Sequence, residues 1–221
     1  MIEYVVPGNI DDRILRRGAD LLTAGGLLAL PTDTSWSVVC SITARGGVKR
    51  LKELSAEREE RHFTLLCGRI SQFGEFCSMD NTRFRLIKQL TPGPYVFILK
   101  TLLGTEKKLG LRRKEIGLRI PDHPVPLALI GKAGAPLYSI TAKRSLISDG
   151  NRQDAAPARD GDFPVILEEE LFEEGWELEA LDGIDLILDS GEERQRVCSS
   201  ILDMSDGEVR LLRAGAGPWP V

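Results

Sequence analysis

Four apolar stretches of the sequence end in short polar runs that could together bind a small molecule. These runs are residues 32–34, 119–123, 139–141 and 199–200, and they are rich in hydroxyl groups and arginine. Hydroxyl and guanidinium groups donate the hydrogen bonds that hold carboxylates and phosphates. A single polar run needs no such explanation, because turns at strand ends meet solvent. Four runs favour one site for a small polar anion, since strand ends line the ligand crevice of an open α/β sheet.

The run PTDTS at residues 31–35 lies between two strand-like apolar stretches, Leu27 to Leu30 and Trp36 to Cys40. Ordinary hairpin turns use Asn-Gly, Asp-Gly or Gly-X, and this run contains no glycine. Side chains of threonine and aspartate in a turn bond to nearby backbone amides, so Thr32 and Asp33 are expected to shape the loop. Three hydroxyls and a carboxylate make this turn a candidate wall of the site.

Alternating helical and strand patterns predict a single α/β domain over residues 1–221. The first helix is expected from Ile10 to about Ala24, because Asn9 is a suitable N-cap and Gly25-Gly26 would end the helix. No linker or repeat divides the chain, and its length suits one generous domain. The other predicted elements are helices near 48–54, 81–90 and 125–132 and strands at 63–67, 95–99, 116–120, 137–140, 184–189, 200–204 and 209–212.

Charged residues are unevenly distributed although the net charge is only −4. A negative net charge argues against indiscriminate coating of nucleic acid, but it leaves room for a local basic groove. Lysine and arginine crowd residues 45–61 and 107–119, whereas acids crowd residues 168–179. We expect the acidic run to form a solvated helix face, as such charge clusters usually do.

The cysteine and histidine patterns do not support a metal site. The four cysteines form no C-x-x-C pair and have no histidine couple nearby, as a structural zinc site would need. They are expected to be small buried hydrophobic residues. With only two histidines, a Ser-His-Asp triad would have to use His62 or His123.

The apolar runs and the N-terminal segment predict a cytoplasmic protein with no membrane partner. No apolar run approaches the ~18 residues of a membrane span. The segment MIEYVVPGNIDDR lacks the basic start and the long apolar centre of a secretion signal. Oligomeric state cannot be read from the pattern.

Five motifs, in order along the chain, resemble the YrdC/YciO family. They are GGLLALPTDTSW, TPGPYVFILK, IGLRIPDHP, APLYSITA and SSILDMSDGEVRLLRAG. The similarity covers roughly the whole chain, with an acidic insertion at about 168–180. The phrase FTLLC, followed by DNTRFRLIKQLTPGPYVFILK, resembles the YciO branch more than the synthases of the family.

The resemblance implies a twisted mixed α/β sheet flanked by helices, with a basic concave groove. The best-understood members are threonylcarbamoyl-AMP synthases, which join threonine, bicarbonate and ATP for tRNA modification and release pyrophosphate. A carbamate oxygen attacks the α-phosphate, so this chemistry depends on positioning and cationic stabilisation rather than on an enzyme nucleophile. An adenine nucleotide is therefore an expected ligand, and Mg²⁺ is expected to accompany its phosphates.

The resemblance also assigns residues to two sides of the site. On the threonine side are Thr32, Thr34, Arg119, Ser139 and Ser199. On the nucleotide side are Thr141, Lys143, Arg213 and Arg58.

The chain departs from the synthase pattern mainly on the nucleotide side. The synthases' Lys-x-Arg pair falls on Ser55 and Glu57, and their Ser-x-Asn reads Thr141-x-Lys143. At ~4 Å and an effective dielectric constant near 20, each lost cation is worth up to a few kcal/mol of attraction for ATP. Arg58 would replace one cation if an insertion shifts the alignment by one residue. The alternative is that Arg58 is a solvated surface residue in the run AEREERH.

Three functional hypotheses follow from these patterns. The first is an enzyme that makes threonylcarbamoyl-AMP weakly or hydrolyses it, either as a nucleotidyltransferase or as a hydrolase. The second is a non-catalytic protein that binds nucleotide, tRNA or double-stranded RNA through the basic clusters. The third is a hydrolase that uses Cys67 or His123 covalently. His123 alternatively caps the helix that follows it, and the sequence favours that role.

Overall fold

The computed structural model describes residues 1–55, 63–109, 114–147, 166–192 and 196–219. Helices of the described part are α1 (Asp12–Thr23), α2 (Arg45–Ser55), α3 (Asn81–Leu90), α4 (Thr105–Leu109) and α5 (Pro124–Ala133). Short 3-10 helices are Ile70–Glu75, Arg144–Leu146, Glu168–Glu170 and Gly175–Ala180. Strands are β1 (Ile2–Tyr4), β2 (Leu28–Leu30), β3 (Ser37–Ser41), β4 (Thr64–Leu66), β5 (Tyr95–Lys100), β6 (Glu115–Arg119), β7 (Leu137–Thr141), β8 (Leu186–Asp189), β9 (Ser200–Asp203) and β10 (Arg210–Arg213).

These ten strands form one mixed sheet in the order β1-β8-β2-β3-β7-β4-β6-β5-β9-β10. The pairs β1/β8, β2/β8, β4/β6 and β5/β9 are parallel, and the other pairs are antiparallel. The predicted mixed α/β sheet flanked by helices is confirmed. The edge strand β1 was not predicted, because Glu3 interrupts its apolar residues, whereas the equally short β2 and β4 lie within longer apolar runs.

The first helix begins later than its predicted N-cap. The N-cap is Asp11, whose carboxylate accepts a hydrogen bond from the Arg13 backbone nitrogen at 2.8 Å. The prediction of Asn9 was therefore wrong, because the aspartate two residues later reaches the exposed N–H groups of the first turn. The predicted end is confirmed: the helix stops at Thr23, and Gly25 follows with a φ of +87°.

Alternate residues of the strands pack into two hydrophobic clusters, one on each side of the sheet. Leu28 and Leu30 of β2 join the cluster beneath α1 and α5, whereas Ala29 of β2 and the preceding Leu27 join the opposite cluster. Burial on both faces explains why residues 27–30 are continuously apolar rather than alternating.

Strand pairing brings two predicted site residues onto one face of the sheet. Thr64 of β4 pairs with Ser139 on one side and with Gly117 on the other, and Leu66 pairs with Arg119. Because residues i and i+2 share a face, Arg119 and Ser139 project from the same face. Along the strands, however, Arg119 lies two residues beyond Gly117, which is the β6 residue level with Ser139.

The acidic run is not a solvated helix face, as the sequence had suggested. It forms the 3-10 helices Glu168–Glu170 and Gly175–Ala180, which turn apolar side chains into the core. Leu171, Phe172 and Leu178 are at most 1% exposed. Trp36 also donates its indole N–H to the Glu173 carbonyl oxygen at 3.2 Å. Apolar residues placed between the acids thus anchor the segment while the carboxylates stay outside.

We expect Phe172→Ala to lower the free energy of unfolding by about 3–5 kcal/mol, because it leaves a cavity under the acidic segment. The matched control is Trp176→Ala, which truncates an aromatic side chain of the same segment that is 63% exposed. That control should change stability by less than about 0.5 kcal/mol, as surface substitutions usually do. Urea denaturation measures both. Equal, small effects of the two substitutions would contradict the packing described above.

Candidate ligand-binding site

Arg119, at the end of β6, is the centre of a buried polar cluster and is only 4% exposed. Its Nη2 group donates to Asp33 Oδ1 at 2.6 Å. Its Nη1 group donates to the Thr34 hydroxyl at 3.0 Å and to the Ser199 hydroxyl at 2.5 Å. The Nε–H donates to the Gly93 carbonyl oxygen at 3.3 Å. The guanidinium therefore joins the 31–35 loop to segments next to β5 and β9.

Hydrogen bonds inside the 31–35 loop hold its two threonines in place. The Thr32 hydroxyl donates to the Ser35 carbonyl oxygen at 2.7 Å and accepts from the Thr34 backbone nitrogen at 3.1 Å. The two hydroxyl oxygens are 3.0 Å apart. Thr32 therefore shapes the loop as predicted, whereas Thr34 faces Arg119.

Asp33 does not bond to the loop amides, contrary to the sequence-based expectation. Its Oδ1 pairs with Arg119, and its Oδ2 is buried without a hydrogen-bond partner among the described residues. The side chain of Asp33 is 13% exposed and that of Arg119 is 5% exposed, so the pair is largely shielded from water. Burial lowers the pKa of Arg119, and the charge of Asp33 partly offsets that effect. A buried guanidinium is strongly destabilising unless it is paired. The Asp33–Arg119 ion pair therefore contributes more stability than another hydrogen bond within the loop would.

Arg213 is a second cation of the same cluster, at the end of β10. Its Nε and Nη2 groups donate to the Ser199 carbonyl oxygen at 3.2 and 3.0 Å. Burial lowers its pKa, and its charge lowers the pKa of Arg119 as well. In the described part of the chain, Arg213 has no carboxylate within ion-pair distance. Two guanidinium groups thus share Ser199, and one of them carries an unbalanced charge.

The pKa of the Cys198 thiol is affected by the two arginines and by two further charged residues, Lys143 and Glu170. Burial raises the pKa of its thiol, while the positive charges of Arg213, Arg119 and Lys143 lower it and the charge of Glu170 raises it further. Lys143 and Glu170 therefore act on the same region as the two arginines. Glu170 belongs to the acidic segment, so this segment contributes negative charge on the side assigned to the nucleotide.

The other predicted site residues lie outside the Arg119 hydrogen-bond cluster. Ser139 donates its hydroxyl to the Thr64 carbonyl oxygen at 3.0 Å, and Thr141 pairs with Ser37 at the far end of β7. Lys143 forms a β-bridge with Leu171 of the acidic segment. Arg58 and Glu57 lie outside the described residues.

Two residues near the expected phosphate side are already engaged in the structure. Arg144 forms an ion pair with Glu177 and lies over the Phe172 ring at 5.1 Å. Ser55 is buried, and its hydroxyl donates to the Lys52 carbonyl oxygen at 2.9 Å. Arg144 is thus already paired with an acid, and Ser55 carries no charge, so neither residue offers a cation to a triphosphate.

The basic clusters considered for RNA binding are partly internal. Arg119 is buried in the Asp33 pair, and Arg50 of α2 forms an ion pair with Asp185 at 2.9 Å. Arg45 and Lys49 are exposed on α2. No helix within the described ranges is long and apolar enough to cross a membrane.

Cys67 and His123 are poorly placed for covalent catalysis. Burial raises the pKa of the Cys67 thiol, so its nucleophilic thiolate form is suppressed. His123 is the N-cap of α5, and its Nδ1 accepts a hydrogen bond from the Val125 backbone nitrogen at 3.2 Å. The predicted capping role of His123 is confirmed.

The fold and this cluster define an α/β protein with a buried arginine–hydroxyl site. The chain belongs to the Sua5/YciO/YrdC family, because the family model described as "Telomere recombination" matches residues 20–168. The predicted membership of this family is thereby confirmed.

Relatives from bacteria and mammals show the same relationship. YciO of Escherichia coli K12 is 27% identical over 215 residues, covering 97% of this chain and 95% of YciO. The crystal structure of E. coli YciO has a TM-score of 0.79 at 26% identity and covers 99% of this chain and 97% of that chain. Threonylcarbamoyl-AMP synthase of Mus musculus is 29% identical over 131 residues, covering 59% of this chain and 46% of the mouse protein.

A structure of P. abyssi Sua5 complexed with L-threonine shares the fold. Its TM-score is 0.76 at 22% identity, covering 97% of this chain and 57% of that chain. At this level of identity the similarity extends to the fold alone.

The thiols provide a test of the covalent hypothesis. All four cysteines are buried, and burial raises the pKa of both Cys40 and Cys77 to about 12. At pH 8 we expect the native protein to react with a disulfide reagent at least ~100-fold more slowly than the protein unfolded in guanidinium chloride, because only the thiolate attacks. Reaction should accelerate as the pH rises towards the raised pKa values. Rapid modification of one thiol that disappears in Cys67→Ala would restore the nucleophile hypothesis.

Proposed function

We propose that this protein binds a hydroxy-amino acid such as L-threonine together with an adenine nucleotide, and acts on threonylcarbamoyl-AMP or a related adenylate near tRNA modification. The observation that carries this proposal is the buried cluster in which Arg119 orders the hydroxyls of Thr34 and Ser199. The relationship to threonylcarbamoyl-AMP synthases and the L-threonine complex of P. abyssi Sua5 support it.

The charge distribution favours hydrolysis or weak synthesis over full synthase activity. Synthesis would join a carbamate oxygen to the α-phosphorus and expel pyrophosphate, so it requires cations around three phosphates. Lys143 and Arg213 are the candidate cations in the described part of the site, and Lys143 forms a β-bridge with Leu171, the residue next to Glu170. In hydrolysis, water attacks the phosphorus and the same phosphorus–oxygen bond breaks. The products are AMP and the threonine carbamate, which decomposes to threonine and carbon dioxide, so only one phosphate has to be held.

Magnesium is proposed to enter with the nucleotide rather than on a protein site. Within the described ranges, no three His, Cys, Asp or Glu side chains are grouped to hold a metal ion. Magnesium commonly binds substrate phosphates with few protein ligands, so this arrangement suits the proposal.

The reaction is tested by two incubations of the purified protein. In the first, L-threonine, bicarbonate and ATP are supplied and pyrophosphate is measured. In the second, threonylcarbamoyl-AMP is supplied and AMP is measured. We expect AMP release well above the spontaneous rate and little or no pyrophosphate. If neither product forms, the enzymatic part of the proposal is wrong, and binding measurements alone would then decide between a ligand-binding and an RNA-binding protein.

Thr34→Val tests the amino-acid side of the site. The substitution keeps the side-chain shape but removes the hydroxyl that accepts from Arg119, and hydrogen bonds to charged groups contribute about 1.5–3 kcal/mol. We expect the Kd for L-threonine to rise roughly 10- to 100-fold by calorimetry. Thr43→Val is the matched control, because the Thr43 hydroxyl bonds to the Ser41 hydroxyl, outside the Arg119 cluster. If Thr34→Val leaves the affinity for L-threonine unchanged, the 31–35 loop has a structural role only.

The RNA-binding alternative makes a different prediction for the same preparation. Phosphate contacts release counterions, so RNA affinity would fall steeply between about 50 and 200 mM salt. Titration of tRNA over that range tests it, with Arg45 and Lys49 as the exposed cations to substitute. No binding at the lowest salt concentration would remove this alternative.

A further inference from the structure

The turn between β5 and α4 exposes two adjacent leucines, Leu102 and Leu103, which together form the leucine tip. Leu103 is 104% exposed and Leu102 is 39% exposed, so no described part of the chain packs on Leu103. Turns are usually built from glycine, proline, asparagine, aspartate or serine, because these residues fit the turn backbone. A leucine pair at this position gains little for folding, since its apolar surface stays in water. A partner that covers the leucines removes that cost.

Backbone hydrogen bonds hold the leucine tip in a fixed position. The Leu102 backbone nitrogen donates to the Phe76 carbonyl oxygen at 2.8 Å, and the Leu102 carbonyl oxygen accepts from the Thr105 backbone nitrogen at 3.0 Å. The preceding Thr101 backbone nitrogen donates to the Lys114 carbonyl oxygen at 2.8 Å. The exposed leucines therefore stand on an ordered hairpin, which lowers the entropic cost of presenting them to a partner.

Positive charge surrounds the leucine tip. Lys107 of α4 and Lys114, next to the start of β6, are both exposed. The sequence of residues 101–114 contains five lysines and arginines and one acid, Glu106, which accepts a hydrogen bond from the Thr101 hydroxyl at 2.8 Å. An apolar tip within a basic surface fits a partner surface that is both apolar and acidic, because potentials across an interface are complementary.

The 3-10 helix Gly175–Ala180 presents a surface of that complementary kind. Side chains three residues apart lie on the same face of a 3-10 helix. Leu178 is buried against the core, whereas Trp176, which is 63% exposed, shares the outer face with the exposed Glu179. Glu174, the N-cap of this helix, is exposed as well. These three outer side chains form the tryptophan patch, and tryptophan is one of the residues enriched at protein interfaces.

We propose that the leucine tip of one molecule binds the tryptophan patch of a second copy of this chain. The two surfaces match in kind: the leucine side chains meet the indole ring of Trp176, and the lysines beside the tip meet the carboxylates of the patch. A second copy is the occupant because the same chain carries both surfaces. Few residues take part on each side, so the association is weak and depends on protein concentration and salt. Neither surface belongs to the Arg119 cluster, so the inference is independent of the proposed function.

Analytical ultracentrifugation of the purified full chain is the first test. We expect reversible self-association at about 0.01 M salt, where the Debye length is about 30 Å, and an affinity about tenfold lower at about 1 M salt, where it is about 3 Å. Leu103→Ser and Trp176→Ala should each weaken association about tenfold. Val6→Ser is the matched control, because Val6 is apolar, 67% exposed and on neither surface. If the wild type stays monomeric at about 1 mM protein and low salt, the proposal is wrong.

Charge reversal tests which two surfaces meet. One variant carries Lys107→Glu and Lys114→Glu at the tip, and the other carries Glu174→Lys and Glu179→Lys at the patch. Within either variant the substituted charges face charges of the same sign, so each variant alone should self-associate about tenfold more weakly than wild type. In a mixture they face charges of opposite sign, and we expect mixed complexes with an affinity within about threefold of wild type. If both variants are folded by circular dichroism and no mixed complex forms, the pairing of tip and patch is contradicted.

Vesicles distinguish a second copy from an anionic membrane, which is also a negative and apolar surface. The purified protein is sedimented with vesicles of phosphatidylserine and phosphatidylcholine, and with vesicles of phosphatidylcholine alone. We expect Leu103→Ser to leave the vesicle-bound fraction at its wild-type level. If binding requires phosphatidylserine and is lost in Leu103→Ser, while the wild type shows no self-association, the leucine tip binds a membrane and the proposal is overturned.

Discussion

Arg119 brings a positive charge into a region of the protein where it is only 4% exposed, and Asp33 supplies the balancing negative charge. An unpaired guanidinium at that depth would be strongly destabilising, so the two side chains must be placed together. This requirement ties the loop after β2 to the end of β6. Through Thr34 and Ser199 the same guanidinium also orients the hydroxyls of the candidate site, so the site's geometry depends on this one ion pair.

The surrounding fold limits what can approach that pair. One face of the sheet carries Arg119 and Ser139, while α1 and α5 cover another part of the same sheet. The acidic segment is anchored by buried Phe172, and its Leu171, the residue next to Glu170, forms a β-bridge with Lys143. The candidate site thus has hydroxyls ordered by Arg119 at one end and the carboxylates of the acidic segment next to Lys143 at the other.

Much of the architecture could be predicted from short-range patterns. The continuous apolar run at 27–30 correctly indicated a strand, and Gly25 marked the end of the first helix correctly. His123 was correctly expected to cap α5. The acidic segment was misjudged because its charges dominate the composition, whereas the apolar side chains of Leu171, Phe172 and Leu178 decide how it packs. Asp33 was assigned to its own loop because its partner, Arg119, lies 86 positions away in the chain.

The sequence by itself determined the family, the alternation of helices and strands, and the residue types available for binding, since these depend on local periodicity and on motifs. Only the tertiary structure decided which groups meet. Strand register and the position of the 31–35 loop bring Arg119 to Asp33, and the pairing of β9 with β10 brings Arg213 to Ser199. Which arginine is neutralised and which is open therefore depends on distances across the sheet, and no local pattern of residues contains that information.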